Sequence, residues 1–93
     1  INGWTQAGAN SKCAVYGGRS ATVDELKRAG AKGFQRCSTS WLKDGAGLYM
    51  QTASSSCGAA GYNAWPSEDV YRKYSALCYG NKPNINVPMI LLE

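Results

Sequence analysis

Gly33-Phe34-Gln35-Arg36-Cys37-Ser38-Thr39-Ser40-Trp41-Leu42-Lys43-Asp44-Gly45 places a cysteine, a large aromatic four residues later and an Asp-Gly pair in one short stretch. A covalent anchor, a core plug and a chain reversal therefore sit together. Trp buries more apolar area than any other residue type, so Trp41 reads as the centre of the core rather than as part of a site. Asp44-Gly45 suits a two-residue hairpin, both of whose central positions need positive φ. The expectation is a strand around Trp41, a turn at Asp44-Gly45 and a second strand from Gly47 to Thr52.

A chain of 93 residues reads as one domain, residues 1–93, and at that size it buries too little apolar surface to be stable without help. Its four cysteines can supply that help. There is no Cys-x-x-Cys pair and no histidine, which argues for two disulfides rather than a zinc site. Three pairings are open to four cysteines. Disulfides in turn imply an oxidising compartment, outside the cell or in a secretory or periplasmic lumen.

With 44% hydrophobic and 17% charged residues the composition is that of a folded globule. The chain starts at Ile1 without a basic or apolar leader, so a signal peptide has been removed or the segment comes from a longer protein. No run has the length of a membrane span, and no Asn-x-Ser/Thr sequon is present. The net charge of +4 comes from Lys and Arg spread along the chain, which reads as solvated surface. Basic extracellular domains also meet acidic glycans, whereas nucleic acid would call for a clustered stripe that this sequence lacks.

Thr5 is placed to cap a first helix from Gln6 to Tyr16, in which Ala9, Cys13 and Tyr16 share a buried face before Gly17-Gly18 ends it. A short extended piece, Arg19 to Ala21, leads to Thr22 and Glu25, which have the spacing of a capping box. The second helix carries acids at its start and bases near its end, as the helix dipole favours, and stops within Gly30 to Gly33. Beyond the hairpin, Ala53 to Ala60 is irregular and tied down by Cys57, Trp65-Pro66 is extended, and Val70 to Tyr79 reads as a strand. The apolar tail from Asn84 to Glu93 reads as an edge strand because of Pro88.

The order of these parts resembles the Link module, the hyaluronan-binding branch of the C-type lectin-like fold. The resemblance covers roughly Thr5 to Tyr79. It rests on Thr5, Ala9 and Cys13, then Gly18-Arg19-Ser20-Ala21-Thr22 with Leu26, then Gly33-Phe34 and Cys37. It continues through Trp41-Leu42-Lys43-Asp44-Gly45, Tyr49, Cys57-Gly58 and Tyr74-Ser75-Ala76-Leu77-Cys78-Tyr79. It implies an α+β, Link-like fold with two short helices packed on antiparallel sheets, and the pairings Cys13 to Cys78 and Cys37 to Cys57. It further implies that Tyr49 is a ligand-contacting tyrosine and that Trp65 lies near a second aromatic contact.

The family's basic contacts are not kept. They fall on Ile1 and Asn2, on Leu48 and near Glu68. The family's opening strand is almost absent as well, while an apolar C-terminal strand is added. That tail either fills the vacant sheet position within the chain or pairs with another chain.

Two functional expectations follow. The first is an extracellular, non-enzymatic recognition or adhesion domain that binds a glycan, acidic or neutral, or a cell-surface glycoprotein, through Tyr49, Tyr62 and Trp65 around the Cys57 loop. Aromatic faces stack on sugar rings and also anchor protein interfaces. A similar lectin-like domain in invasin- and intimin-type adhesins binds host proteins without calcium. The acids of this chain form no oxygen-ligand cluster and calcium-lectin triplets are absent, so no metal or cofactor is expected. Catalysis lacks a histidine or a free cysteine to build on. The second expectation is a structural subunit of an extracellular assembly that self-associates through its C-terminal strand.

Overall fold

A computed structural model describes residues 3–64, 69–80 and 89–92. The elements are α1 (Gln6–Val15), β1 (Gly18–Ser20), α2 (Val23–Ala31), β2 (Arg36–Leu42), β3 (Gly45–Met50), β4 (Gly61–Ala64), β5 (Ser75–Gly80) and β6 (Met89–Leu92).

Both helices start where local chemistry predicts. The Thr5 hydroxyl accepts the Gly8 N–H at 3.1 Å, and Thr22 and Glu25 form a complete capping box, which satisfies N–H groups that have no partner inside the helix. Helix α1 ends one residue early, at Val15. Tyr16 is its C-cap and is 59% exposed, so it does not share the buried face of Ala9 and Cys13. Gly17 then turns the chain at a φ of 83°, a conformation that a side chain would disfavour.

The six strands form a single mixed sheet in which β2 and β5 alone run parallel, whereas wholly antiparallel pairing was expected. A parallel pair needs a long crossover, and the segment through β3 and β4 provides it. Strand β5 lies inside the sheet. Cys78 pairs with Ser20 of β1 and with Ile90 of β6, so those strands flank it on opposite edges.

The tail strand β6 thus pairs within the chain. Trp4 exchanges two backbone hydrogen bonds with Tyr74, at 2.8 and 3.0 Å. The Leu77 carbonyl accepts the Ala21 N–H at 2.9 Å on the β1 side, so the backbone of Tyr74, of opposite parity along the strand, bonds Trp4 on the other edge, where β6 lies. Strand β6 and the Trp4 bridge thus lie along the same edge of β5. Strand β5 starts at Ser75 rather than at Val70. Residues 70–72 form a turn and bend, and Tyr71 is 80% exposed there.

The helices pack on opposite faces. Trp41, Ala46, Ala76 and Cys78 meet Ala9 and Cys13 of α1 on one face. Leu42 and Leu77 meet Ala21 with Leu26 and Ala29 of α2 on the other. Each fully buried Leu contributes about 1.5–3 kcal/mol. Trp41 is 1% exposed, and its indole N–H donates to the Arg72 carbonyl at 2.8 Å, so the polar end of the ring is satisfied inside the core.

The disulfides join Cys13 to Cys78 and Cys37 to Cys57, with Cα separations of 5.3 and 5.5 Å. The first ties α1 to β5. The second ties β2 to the loop before β4.

The hairpin differs from the expectation by one residue. Leu42 stands opposite Gly45, so Lys43 and Asp44 form the loop, and Gly45, which is not among the positive-φ glycines, already belongs to β3. Strand β3 accordingly runs Gly45–Met50 rather than Gly47 to Thr52. Tertiary bonds account for the shift. The Lys43 N–H donates to the Ala21 carbonyl at 2.7 Å, and the Asp44 carboxylate accepts the Val23 N–H at 2.9 Å.

Candidate functional site

Strand β3 reads Gly-Ala-Gly-Leu-Tyr-Met, and its alternation divides it between the two faces. Ala46, Leu48 and Met50 are buried on the α1 side of the sheet or in the small cluster with Cys57. Tyr49 packs instead against the cluster beneath α2. Strand β4 runs antiparallel beside β3 with Tyr62 directly opposite Tyr49. Two of the three residues singled out for a site are thus brought side by side. Trp65 lies outside the described residues.

Each ring rests on a glycine. A Cβ at Gly30 of α2 would overlap the ring of Tyr49, and a Cβ at Gly47 would meet the ring of Tyr62 and the Asn63 carbonyl. The missing side chains are what let the helix and the neighbouring strand approach so closely. Gln51 holds the end of α2 in this position. Its side-chain amide donates to the carbonyls of Gly30 at 2.7 Å and of Phe34 at 3.1 Å.

The two tyrosines are not equivalent. The Tyr62 hydroxyl donates to the Ala46 carbonyl at 3.3 Å. Burial pushes its phenol pKa up, and the nearby Asp44 carboxylate adds to the effect, since both disfavour a phenolate. The Tyr49 hydroxyl has no hydrogen-bond partner among the described residues.

Two cations flank the pair. The ammonium of Lys27 lies 5.4 Å from the centroid of the Tyr62 ring, within cation–π range. Arg36 of β2 is the cross-strand partner of Tyr49 and is exposed. Between Arg36 and Ser40 the strand bulges, with Cys37, Ser38 and Thr39 lying opposite the single Leu48. Three intervening residues preserve the alternation, so Arg36 faces the same side as Tyr49, and Cys37 turns to the other side toward Cys57.

The Cys57 loop borders this surface. Ser54 and Gly58 exchange backbone hydrogen bonds at 2.8 and 2.9 Å. The Asn63 side chain holds both the N–H and the carbonyl of Ala59, at 3.1 and 2.7 Å. A loop of small residues is therefore kept in one shape by a disulfide and a single amide.

The sequence offered no signal for Lys27, Gly30 and Arg36. Their place beside Tyr49 and Tyr62 depends on register across three strands and on where α2 lands. The family model described as the extracellular link domain matches residues 2–79.

Proposed function

The chain belongs to the extracellular link-domain family, a family of extracellular recognition modules, and from that premise we propose a secreted, non-enzymatic domain that binds a glycan without calcium. The glycan is free or carried on a cell-surface glycoprotein, and the contact surface is centred on Tyr49 and Tyr62, with Trp65 as a third aromatic. The observation that carries the reading is the direct cross-strand pairing of Tyr49 with Tyr62, each ring seated on a glycine. Aromatic rings held in place by a scaffold lose little further entropy on binding. Tyr49 presents a hydroxyl to the ligand, and Tyr62, whose hydroxyl is engaged, positions it.

Calcium independence is supported by the engagement of the acids on the described surface. Asp24 pairs with Arg28 at 3.0 Å, Glu25 with Arg19 at 2.7 Å, Asp44 accepts the Val23 N–H and Asp69 the Tyr71 N–H. A non-catalytic role is supported by a chain without histidine whose cysteines are all in disulfides. Disulfides persist in oxidising compartments, which supports secretion.

The test is titration of the oxidised domain with a panel of neutral and anionic oligosaccharides, followed by calorimetry. Binding that survives EDTA and weakens about tenfold or more in Tyr49→Ala, the loss of a central aromatic contact, is expected. A wild-type domain that binds no member of the panel, or one that needs added calcium, overturns the reading.

A further inference from the structure

We infer that the outer face of α1 is a docking surface for a second copy of this chain, helix packed on antiparallel helix about a two-fold axis. The inference is independent of the glycan reading, because α1 lies on the face of the sheet opposite the cluster that holds Tyr49 and Tyr62.

The large apolar side chains exposed among the described residues are Val15, Tyr16, Val70 and Tyr71. All four gather at the two ends of one helix. Val15 is the last residue of α1 and Tyr16 its C-cap. The Val70 carbonyl accepts the Gln6 N–H at 3.3 Å, which sets Val70 and Tyr71 beside the first turn. Between the two pairs the helix exposes Ala7, Ser11 and Ala14, whose spacings of four and three make one uncharged stripe. Lys12 is the single charged residue of α1, and its ammonium lies over the Tyr16 ring at 5.7 Å. Helix α2 has the ordinary arrangement, with Asp24, Lys27 and Arg28 exposed on its solvent side. An uncharged helix face bounded by apolar side chains marks a protein contact.

Charge and symmetry select the occupant. Two identical domains of net charge +4 approach closely only where like charges do not face each other, and the outer stripe of α1 carries none. A two-fold axis near Ser11 runs the helices antiparallel, so Val15 and Tyr16 of one copy meet Val70 and Tyr71 of the other, twice. The ten residues of α1 span about 15 Å, which sets the distance between the two end contacts. The same axis turns the Lys12 ammonium of one copy toward the Asp69 carboxylate of the other. Asp69 is exposed and accepts the Tyr71 N–H at 2.9 Å. Parallel helices would instead bring Lys12 to Lys12 and Asp69 to Asp69. Of the cations after Tyr71, Arg72 lies over the Tyr74 ring and Lys73 is exposed, so apolar burial rather than net charge carries the affinity. The small residues of the stripe let the helix axes approach to about 8 Å. Each copy keeps its Tyr49 surface on the outside of the dimer.

The experiment is sedimentation equilibrium of the oxidised domain from micromolar to millimolar concentration, without glycan. Wild type is compared with Val15→Lys, Tyr71→Ser and a control, Ala31→Lys, at the end of α2. Thermal melting first establishes that each variant is folded; all three positions are exposed, and a cation in a last helical turn suits the helix dipole. Wild type is expected to dimerise as concentration rises. Val15→Lys and Tyr71→Ser should each weaken association about tenfold or more, and Ala31→Lys should match wild type. Ser11→Cys, close to the axis, should form a disulfide-linked dimer on oxidation, and Ala31→Cys should not. A wild-type domain that stays monomeric throughout overturns the inference. So does a dimer that is indifferent to Val15→Lys and Tyr71→Ser, or one in which Ser11→Cys fails to cross-link. These outcomes leave the glycan reading, which is decided by oligosaccharide titration, where it stood.

Discussion

The carboxylate of Asp44 accepts the backbone N–H of Val23 at 2.9 Å across 21 residues of sequence, so the tip of the central hairpin caps the helix on the outer side of the sheet. Thr22 and Glu25 satisfy other free groups of the same helix end. The start of α2 is thus held by its own residues and by the hairpin at once. The hairpin fixes where the helix lies over β3 and β4, and with it the positions of Gly30 and Lys27.

Asp44→Ala should therefore destabilise the domain by about 1 kcal/mol, the usual cost of losing a side-chain cap. It should also lower the Tyr62 phenol pKa toward its ordinary value without restoring it fully, because burial, the larger cause, remains. Urea unfolding checks the first expectation. NMR titration of the tyrosine ring signals checks the second.

Glu25 gives the domain an acid-sensitive element. Its hydrogen bonds from Arg19 are the main cause that pulls its carboxyl from 4.5 to about 2, with the Thr22 backbone N–H assisting. A carboxylate with a depressed folded-state pKa contributes stability that is complete above 4.5 and is lost as pH falls through about 2. Arg19 is 42% exposed on its side chain, so solvent screening reduces the contribution to about 1–2 kcal/mol. Glu25→Gln should lower the unfolding free energy by that amount at pH 7, and the difference from wild type should shrink across the window from pH 4.5 to about 2. Denaturant unfolding as a function of pH measures it.

Gly30→Ala opposes two effects. Alanine is favoured over glycine within a helix by about 1 kcal/mol, but its Cβ would overlap the Tyr49 ring, and overpacking costs about 1–3 kcal/mol. The clash should prevail. The variant is expected to melt lower and to show a displaced Tyr49 ring by NMR, and to lose ligand affinity along with Tyr49→Ala. A variant that melts higher with an unmoved ring would show that the helix can shift to accommodate a methyl group.

The two disulfides should differ in value. Chain entropy assigns about 4 kcal/mol to a bridge spanning 65 residues and about 3 kcal/mol to one spanning 20. Cys13 and Cys78 are also buried in the α1-side core, whereas Cys37 is exposed. Paired Cys→Ser replacement of Cys13 and Cys78 should abolish stable folding at 37 °C. The same replacement of Cys37 and Cys57 should leave a folded domain with a mobile 53–60 loop. Near-ultraviolet circular dichroism and hydrogen exchange distinguish these outcomes.

Several readings based on neighbours in sequence agree with the structure. Thr5 and Thr22 cap their helices, Cys13 is buried, Trp41 is core and the Cys57 loop is irregular. Readings that needed a strand's partner were less complete. The first strand residue after the hairpin and the start of β5 depend on contacts made far along the chain, whereas Tyr16 is exposed because α1 ends one residue before it. Of the candidate site, Tyr49 and Tyr62 were legible as aromatics on strands flanking a pinned loop, whereas Lys27, Gly30 and Arg36 were not.

The sequence by itself determined the helix starts, the core tryptophan, the disulfide-bonded nature of the domain and, through the spacing of its signals, its family resemblance. These depend on interactions within a few residues, or on residue chemistry that holds in any fold. Only the tertiary structure decided the cross-strand row of Arg36, Tyr49 and Tyr62, the seating of α2 on Tyr49 through Gly30, and the closure of the sheet edge by β6 beside Trp4. The reason is geometric. One residue of register transfers a side chain to the opposite face of a sheet, and register here is set by a bulge, a docked hairpin tip and a bridging strand that join parts of the chain distant in sequence.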